Sequence, residues 1–473
     1  MVLPNFTRQA RQLKIDGLDQ KKLASTRIGL VSDLVSGLAE LVVYALAAMG
    51  MSENGFLHHY ESNKFSKQSY FNVQSPHPEE FSKMLQVFSP STNYRHIPQP
   101  LDGNLHLAFP PDKFDLLIDL RSGLNEKLQL TDYARNKGMK LIDASSKDSK
   151  FAVRYADRRT TAEEGMFGVS GPGQDPITDL ILTGIISELA RKAISPYSST
   201  DLPFLPIYYN QSLGNINLCR DNPLFKDKVS RILLVGSGAL GNPLALIFSY
   251  YGIDFDNVDP DKIELTNLAR QILFNPEDVG YYKAERLTQR CLKLNPKLDL
   301  RHRELKIHPD TDFLFGIKPG DYDAVFCAVD KDEARSYLNY LSHRTGIPII
   351  SGGTGWDGGY ATIYIPGETA CLNDQLNINI RAQREKERRL AQEAQGGCID
   401  VSEPSIISSN LITAAQMMNV FFRYLAIKNN TSGIAKTHFN LRYVYSFPKA
   451  LTPAVPIETS CNCFQYQKSL EQK

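Results

Sequence analysis

"RILLVGSGALGNPLALIFSYYG", residues 231–252, decides how the rest of the chain is read. It opens with a short apolar run. Gly236, Gly238 and Gly241 then fall in the spacing G-x-G-x-x-G ahead of a second apolar stretch. Strand, glycine turn and helix in that order build a phosphate-binding βα unit. The glycines allow the tight turn and the close approach of backbone to phosphate, and the helix N-terminus adds amides and a positive dipole end. The motif alone is weak. Asp259 strengthens it, standing 18 residues beyond Gly241 in "DNVDPDKIE", at the end of the next apolar run. A carboxylate placed there can hold ribose hydroxyls, although read by itself it is a strand-end turn residue.

Composition bounds the possibilities. With 473 residues, 42% of them hydrophobic, the chain can bury two or three domain cores. A formal net charge of +1 leaves no electrostatic footprint for nucleic acid or an anionic membrane. There is no uninterrupted apolar run of the roughly 18 residues a membrane helix needs. The most apolar window, about 34–48, is broken by Glu40 and lies too far in for a signal peptide. Seven cysteines without framework spacing point to a reduced, cytoplasmic protein.

A dehydrogenase reading fails on the next segment. In "TNLARQILFNPEDVGYYKAE", residues 266–285, Asn267, Arg270, Gln271 and Lys283 follow the nucleotide strand. A dinucleotide has no use for two cations there, whereas a triphosphate does. "YDAVFCAVDKDEARSYLNYL" then sets Asp330 just past an apolar strand. That is the carboxyl edge where doubly wound sheets bind ligands, and a carboxylate there suits Mg2+. Any one of these charges reads as a solvated loop residue, but four at one sheet edge read as a site.

"GSGALG", "VDPDKIELTNLARQILF", "DVGYYKAE" and "AVDKDEAR" together resemble the ThiF/MoeB superfamily, which includes the ubiquitin-activating enzymes. The resemblance covers about 225–425, and the N-L-x-R-Q segment is its most specific part. It implies ATP-dependent adenylation of the C-terminal carboxylate of a small protein or peptide. Asp259 would bind the ribose, with Asp261 and Gln271 in the same nucleotide site. Asn267, Arg270 and Lys283 would meet the phosphates, and Asp330 would bind Mg2+. Members of the family carry Asn after this Asp, where this chain has Lys331.

The chain carries the pattern twice. Residues 114–145 align without a gap to 322–353, and both read strand, helix, glycine, strand. "DPITDLILTGIISELARKA" at 175–193 echoes "EPSIISSNLITAAQMMNVFFRYLA" at 403–426. The expected fold class is therefore α/β, two tandem Rossmann-like (ThiF-type) doubly wound domains forming a pseudodimer. The halves are 1–215 and 216–473, the second with a crossover loop at about 371–404 and a short C-terminal strand region. In the first half Gly236 becomes Ser32, Gly238 becomes Leu34 and Asp330 becomes Ser122; only Gly241 survives, as Gly37. A Cβ at the first two positions obstructs phosphate approach. This half reads as an inactive pseudo-adenylation domain.

The resemblance extends to residues away from the turn. "ARQLKIDGLDQKKLASTRIGLV" at 10–31 is similar to the family's arginine-bearing entry helix, which implies that Arg11 completes the ATP site from the inactive half; otherwise it is a surface-helix residue. Cys398 falls in the crossover loop, which sometimes carries the acyl-accepting thiol, so thioester formation there is an open further step. Zinc is its rival. Cys371, Cys461 and Cys463 stand where family members place two C-x-x-C pairs, but that spacing is absent and zinc is disfavoured. The partners implied are a β-grasp, ubiquitin-like protein ending in Gly, and a conjugating enzyme or sulfur-transfer acceptor, without nucleic acid or membrane. The alternatives are a peptide-adenylating enzyme of natural-product biosynthesis and a non-catalytic scaffold.

Overall fold

Two sheets of the same topology make up the protein. The computed structural model describes residues 9, 12, 15, 18–33, 37–61, 70–71, 78–98, 101, 104–147, 150–157, 175–195, 207–210, 229–307, 316–356, 358–394, 405–428, 441–446 and 455–456. The first sheet holds β1 (Arg27–Ser32), β2 (Phe56–Glu61), β3 (Tyr94–Ile97), β4 (Leu116–Asp119), β5 (Leu141–Lys147), β6 (Lys150–Ala156) and β7 (Ile207–Asn210) in the order β3-β2-β1-β4-β5-β6-β7. The second holds β8 (Ile232–Val235), β9 (Phe255–Val258), β10 (Leu300–Arg303), β11 (Ala324–Cys327), β12 (Ile349–Thr354), β13 (Gly358–Tyr364), β14 (Leu441–Ser446) and β15 (Val455–Pro456) in the order β10-β9-β8-β11-β12-β13-β14-β15. In each, the first five strands of that order are parallel and the remainder antiparallel. The strand order reverses between β1 and β4, and again between β8 and β11. Ligands bind at such a switch point, beyond the carboxyl ends of the strands.

The helices repeat as the strands do. In the first half α1 (Gly37–Ala48), α2 (Pro78–Phe88), α3 (Leu124–Lys137) and α4 (Pro176–Ile194) occupy the places that α5 (Gly241–Tyr251), α6 (Lys283–Leu294), α7 (Asp332–Thr345) and α9 (Ile407–Lys428) occupy in the second. The second half also carries the crossover helix α8 (Ile378–Ala394), which has no counterpart among the described residues of the first. Helices α3 and α7 start and stop at a common offset of 208 residues. Each ends on a glycine with positive φ, Gly138 at 67° and Gly346 at 72°, a conformation that closes the last helical turn without a Cβ penalty. Central strands such as β8 and β11 are buried along their whole length, as unbroken apolar runs in a parallel sheet require.

The halves meet along α4 and α9. Every residue of α4 is buried, as are all of α9 except Arg423 and Lys428. The enclosure takes in polar residues as well, Asp179, Glu188 and Arg191 of α4 and Asn410 and Gln416 of α9 among them. Gly184 permits the close crossing, since a Cβ there would stand 2.6 Å from Ile412 Cγ1 and 2.7 Å from the Ser408 carbonyl oxygen. Around these helices a single apolar cluster joins Ile28 and Leu30 of the first sheet to Ile232 and Leu234 of the second, so the junction is continuous with the core. Among the described residues no helix is long and apolar enough to cross a membrane.

Candidate active site

The glycine turn after β8 is built as its sequence suggests. Gly236 has φ 102°, and a Cβ on it would lie 2.5 Å from the Ala328 carbonyl oxygen, so the turns after β8 and β11 abut at the switch point. A Cβ on Gly241 would fall 2.0 Å from the Gly236 carbonyl oxygen. Gly238 differs. Its built Cβ meets only Gln271 Nε2, at 3.7 Å, so its missing side chain leaves open space. Gln271 is 2% exposed, and its Oε1 has no hydrogen-bond partner. A buried amide end beside an open seat is suited to a polar ligand lying on the turn.

Around the turn the polar residues form one connected chain. Ser237 N donates to Asp259 Oδ2 at 2.7 Å, and Asp261 N donates to Asp259 Oδ1 at 2.8 Å. Lys283, first residue of α6 and largely buried, donates from Nζ to Asp261 Oδ2 at 2.9 Å. Burial pushes the Asp259 carboxyl above the usual carboxylate range, opposed by the Lys283 charge and by the two backbone donors. Asn267 and Glu264 cap the segment Leu265–Ala269 reciprocally, and Arg270 Nη1 donates to the Thr266 carbonyl at 2.9 Å. Gly236, Gly238, Gly241, Asp259, Asp261, Gln271 and Lys283 are thus brought together. Arg270 is held close to its own turn, and Asp330 is exposed on the facing turn after β11.

Sequence reasoning missed the braces of this turn. Ser237 Oγ donates to Asn257 Oδ1 at 2.7 Å, and Asn257 Nδ2 reaches the Ala284 carbonyl at 3.0 Å. Asn242 spans the turn, donating to the Ser237 carbonyl at 2.8 Å and accepting from Leu273 N at 2.9 Å. Two of these three residues lie between or beside the motif glycines, and their amide and hydroxyl side chains within buried runs were the available signal.

The same edge of the first sheet is filled by its own side chains. Ile28 and Ile232 hold equivalent registers, pairing with Leu57 and Phe255 respectively, so Glu61 falls where Asp259 stands. Glu61 faces His96 Nε2 at 2.8 Å. Ser32 Oγ lies 2.8 Å from His59 Nε2, and burial drives the pKa of that imidazole down to about 3. Asp33 Oδ2 accepts from both Ser122 N and Ser122 Oγ at 2.6 Å. A carboxylate therefore bridges the glycine-loop position to the residue equivalent to Asp330, where the second half keeps an open turn.

Among the remaining candidates, Leu34, Arg11, Cys398, Cys461 and Cys463 lie outside the described residues. Cys371 is buried in an apolar cluster with Leu372, Leu376 and Ile378, and its Sγ lies 3.6 Å from Asp374 Oδ2. Burial raises its thiol pKa. Cys327 and Cys291 are core residues, with the Cys291 thiol pushed up to about 12. Among the described residues no group of three or more His, Cys, Asp or Glu side chains could hold a metal ion.

Comparison with known proteins gives a consistent picture. The model of the ThiF family matches residues 210–452. The human ubiquitin-like modifier-activating enzyme 7 is 34% identical over 154 residues, 31% of this chain and 15% of that protein. The catalytic subunit of the NEDD8-activating enzyme E1 from Arabidopsis thaliana is 32% identical over 156 residues, 30% of this chain and 34% of that protein. The chain thus aligns with about a third or less of these relatives' length. Among solved structures, E. coli MccB with ATP covers 50% of this chain and 67% of its own, at 23% identity and a TM-score of 0.40.

Proposed function

The chain belongs to the ThiF family, and on that premise we propose that it uses ATP to adenylate the C-terminal carboxylate of a ubiquitin-like protein, at a site built by its second half. The observation that carries the reading is the connected chain Ser237–Asp259–Asp261–Lys283 beside the open seat at Gly238. The names of the two relatives described above, both activating enzymes, support the substrate class.

In this reading the turn amides and the α5 N-terminus take the phosphates, and Asp259 takes the ribose hydroxyls. Lys283 and Arg270 supply cations, Lys283 exchanging its exposed partner Asp261 for a phosphate oxygen, while Asn267 and Gln271 fix the surrounding segment. Asp330 would hold Mg2+ together with the nucleotide, and the ion would neutralise phosphate charge. The substrate carboxylate oxygen forms the new bond to the α-phosphorus as the bond to pyrophosphate breaks. No protein nucleophile is needed, so orientation and charge neutralisation carry the step. The acyl group then passes from the adenylate to the Cys398 thiolate or directly to an external thiol or sulfur acceptor, the new bond to sulfur forming as the bond to AMP breaks and AMP leaves. The first half takes no nucleotide, because Asp33 and Ser122 close its switch point. It serves as the pseudo-subunit that presents Arg11.

Substrate-dependent pyrophosphate exchange into ATP tests the proposal, with β-grasp proteins ending in Gly as substrates. Exchange should appear with one such protein and be lost in Asp330→Ala. Exchange that survives Asp330→Ala overturns the site, and exchange with a short peptide alone overturns the substrate class. Arg11→Ala should lower exchange. Cys398→Ala should leave exchange intact and abolish any thiol-reducible acyl-enzyme band.

A further inference from the structure

Arg335 lies behind the Asp330 turn, and nothing in the proposed chemistry uses it. It is 3% exposed, one turn into α7. Its Nη1 donates to Ser351 Oγ at 2.5 Å and to the Gly352 carbonyl at 3.0 Å, in the middle of β12. Its Nη2 donates to the Val329 carbonyl at 2.8 Å, the peptide oxygen immediately before Asp330. Asp332 lies 3.4 Å from its Nε and balances its charge. The fork geometry of a guanidinium lets one side chain hold two backbone segments at once.

The first half supplies a natural control. Lys127 occupies the equivalent position on α3, equally buried. Its Nζ donates to Asp143 Oδ1 at 2.5 Å and to the Ala144 carbonyl at 2.9 Å. Asp143 and Ser351 are register equivalents, opposite Asp119 and Cys327. Both cations therefore pin the helix to the middle of the next strand. Lys127 makes its third contact, at 3.3 Å, to the Asp119 carbonyl, within the strand and not in the turn beyond it. The turn after β4 is closed instead by Arg121, paired with Asp119. Among the described residues no side chain holds the Arg121 carbonyl, the equivalent of the Val329 carbonyl, in the half that lacks the carboxylate.

We propose that Arg335 is a positioning residue, which fixes the turn carrying Asp330 and so sets the site's grip on a divalent cation. This rests on the assignment of Asp330 made above. Outer partners of metal-binding groups typically alter metal affinity by about 10–100-fold when replaced. Arg335→Lys should keep the strand anchor, as Lys127 does, and release the Val329 carbonyl.

Calorimetric titration with ATP, first in EDTA and then at rising Mg2+, tests this on the full-length protein. Arg335→Lys should bind ATP in EDTA within about twofold of wild type, yet need about tenfold more Mg2+ to reach the wild-type tightening. Ser351→Ala, which removes one of the two strand contacts and keeps those to Gly352 and Val329, should show the wild-type Mg2+ dependence. An unchanged Mg2+ dependence in Arg335→Lys overturns the proposal. So does an equal shift in Ser351→Ala, or a parallel loss of affinity with and without Mg2+, each of which marks a scaffold role. Mg2+-linked tightening that persists in Asp330→Ala instead removes the premise and identifies the Asp330 assignment as the failure.

Discussion

Gly236 and Gly238 share a motif but are glycine for different reasons. Gly236 combines φ 102° with a carbonyl 2.5 Å from where its Cβ would stand, so the fold requires it. Gly236→Ala should cost about 1–3 kcal/mol of stability, measured by denaturant unfolding. Gly238 has room for a methyl group in the protein itself. Gly238→Ala should therefore melt like wild type and yet bind ATP at least about tenfold more weakly, by about 1.4 kcal/mol. Wild-type ATP affinity in that variant would show that no ligand uses the open seat. These glycines, Asp259 and Lys283 are legible in the sequence because their spacing, weak for any one of them, recurs together in the segments that resemble the ThiF/MoeB superfamily. Glu61 and Asp33 are not. The loop between β1 and β2 is longer than its counterpart, which shifts the alignment, and only strand register shows that Glu61 stands at the position of Asp259.

At the scale of elements, the ungapped match of 114–145 to 322–353 made both copies of strand, helix and strand readable. What pattern could not supply was how the copies meet. With charged residues such as Asp179 and Glu188 enclosed in α4, and Asn410 and Gln416 enclosed in α9, polarity in the sequence does not mark which side is covered. Gly184 marks the crossing. Gly184→Ala would push a methyl group against a backbone carbonyl that cannot turn aside, and should destabilise the protein by about 1–3 kcal/mol in thermal or denaturant unfolding. The crossover helix α8 is held differently. Arg381 pairs with Asp332 at 2.7 Å and Ser336 Oγ donates to Asn379 at 3.0 Å, while Arg384, Glu387 and Leu390 beyond them are exposed. Arg381→Met should speed tryptic cleavage within α8. The melting temperature should fall by no more than a few degrees, since a pair whose arginine is about half exposed to solvent is worth about 1 kcal/mol or less.

On the scale of the whole molecule, the junction between the halves carries buried acids. Asp179 accepts from Tyr70 Oη at 2.8 Å and Ser146 Oγ at 3.0 Å; Asp175 accepts from Thr178 Oγ1 at 2.5 Å and faces Tyr251 Oη across the junction at 3.4 Å. Burial raises these carboxyls to about 7 and about 6 respectively. With pKa raised on folding, the native state keeps protons that the unfolded chain has released above about pH 4. These groups therefore lose stability as pH rises from about 4 to about 7, with little further change above. Asp179→Asn should gain on wild type across that window, read as the difference in unfolding free energy at pH 5 and pH 8. The comparison must be with the variant, because His59, held neutral down to about 3, acts in the opposite sense below about pH 6.5.

The central claim is that one chain carries the fold twice and the nucleotide site once. Calorimetric titration of the full-length protein with ATP tests it most directly, because it counts sites without knowing the acyl substrate. The account predicts one nucleotide per chain, with all binding lost in Asp259→Ala. Two nucleotides per chain, or binding that persists undiminished in Asp259→Ala, would contradict it.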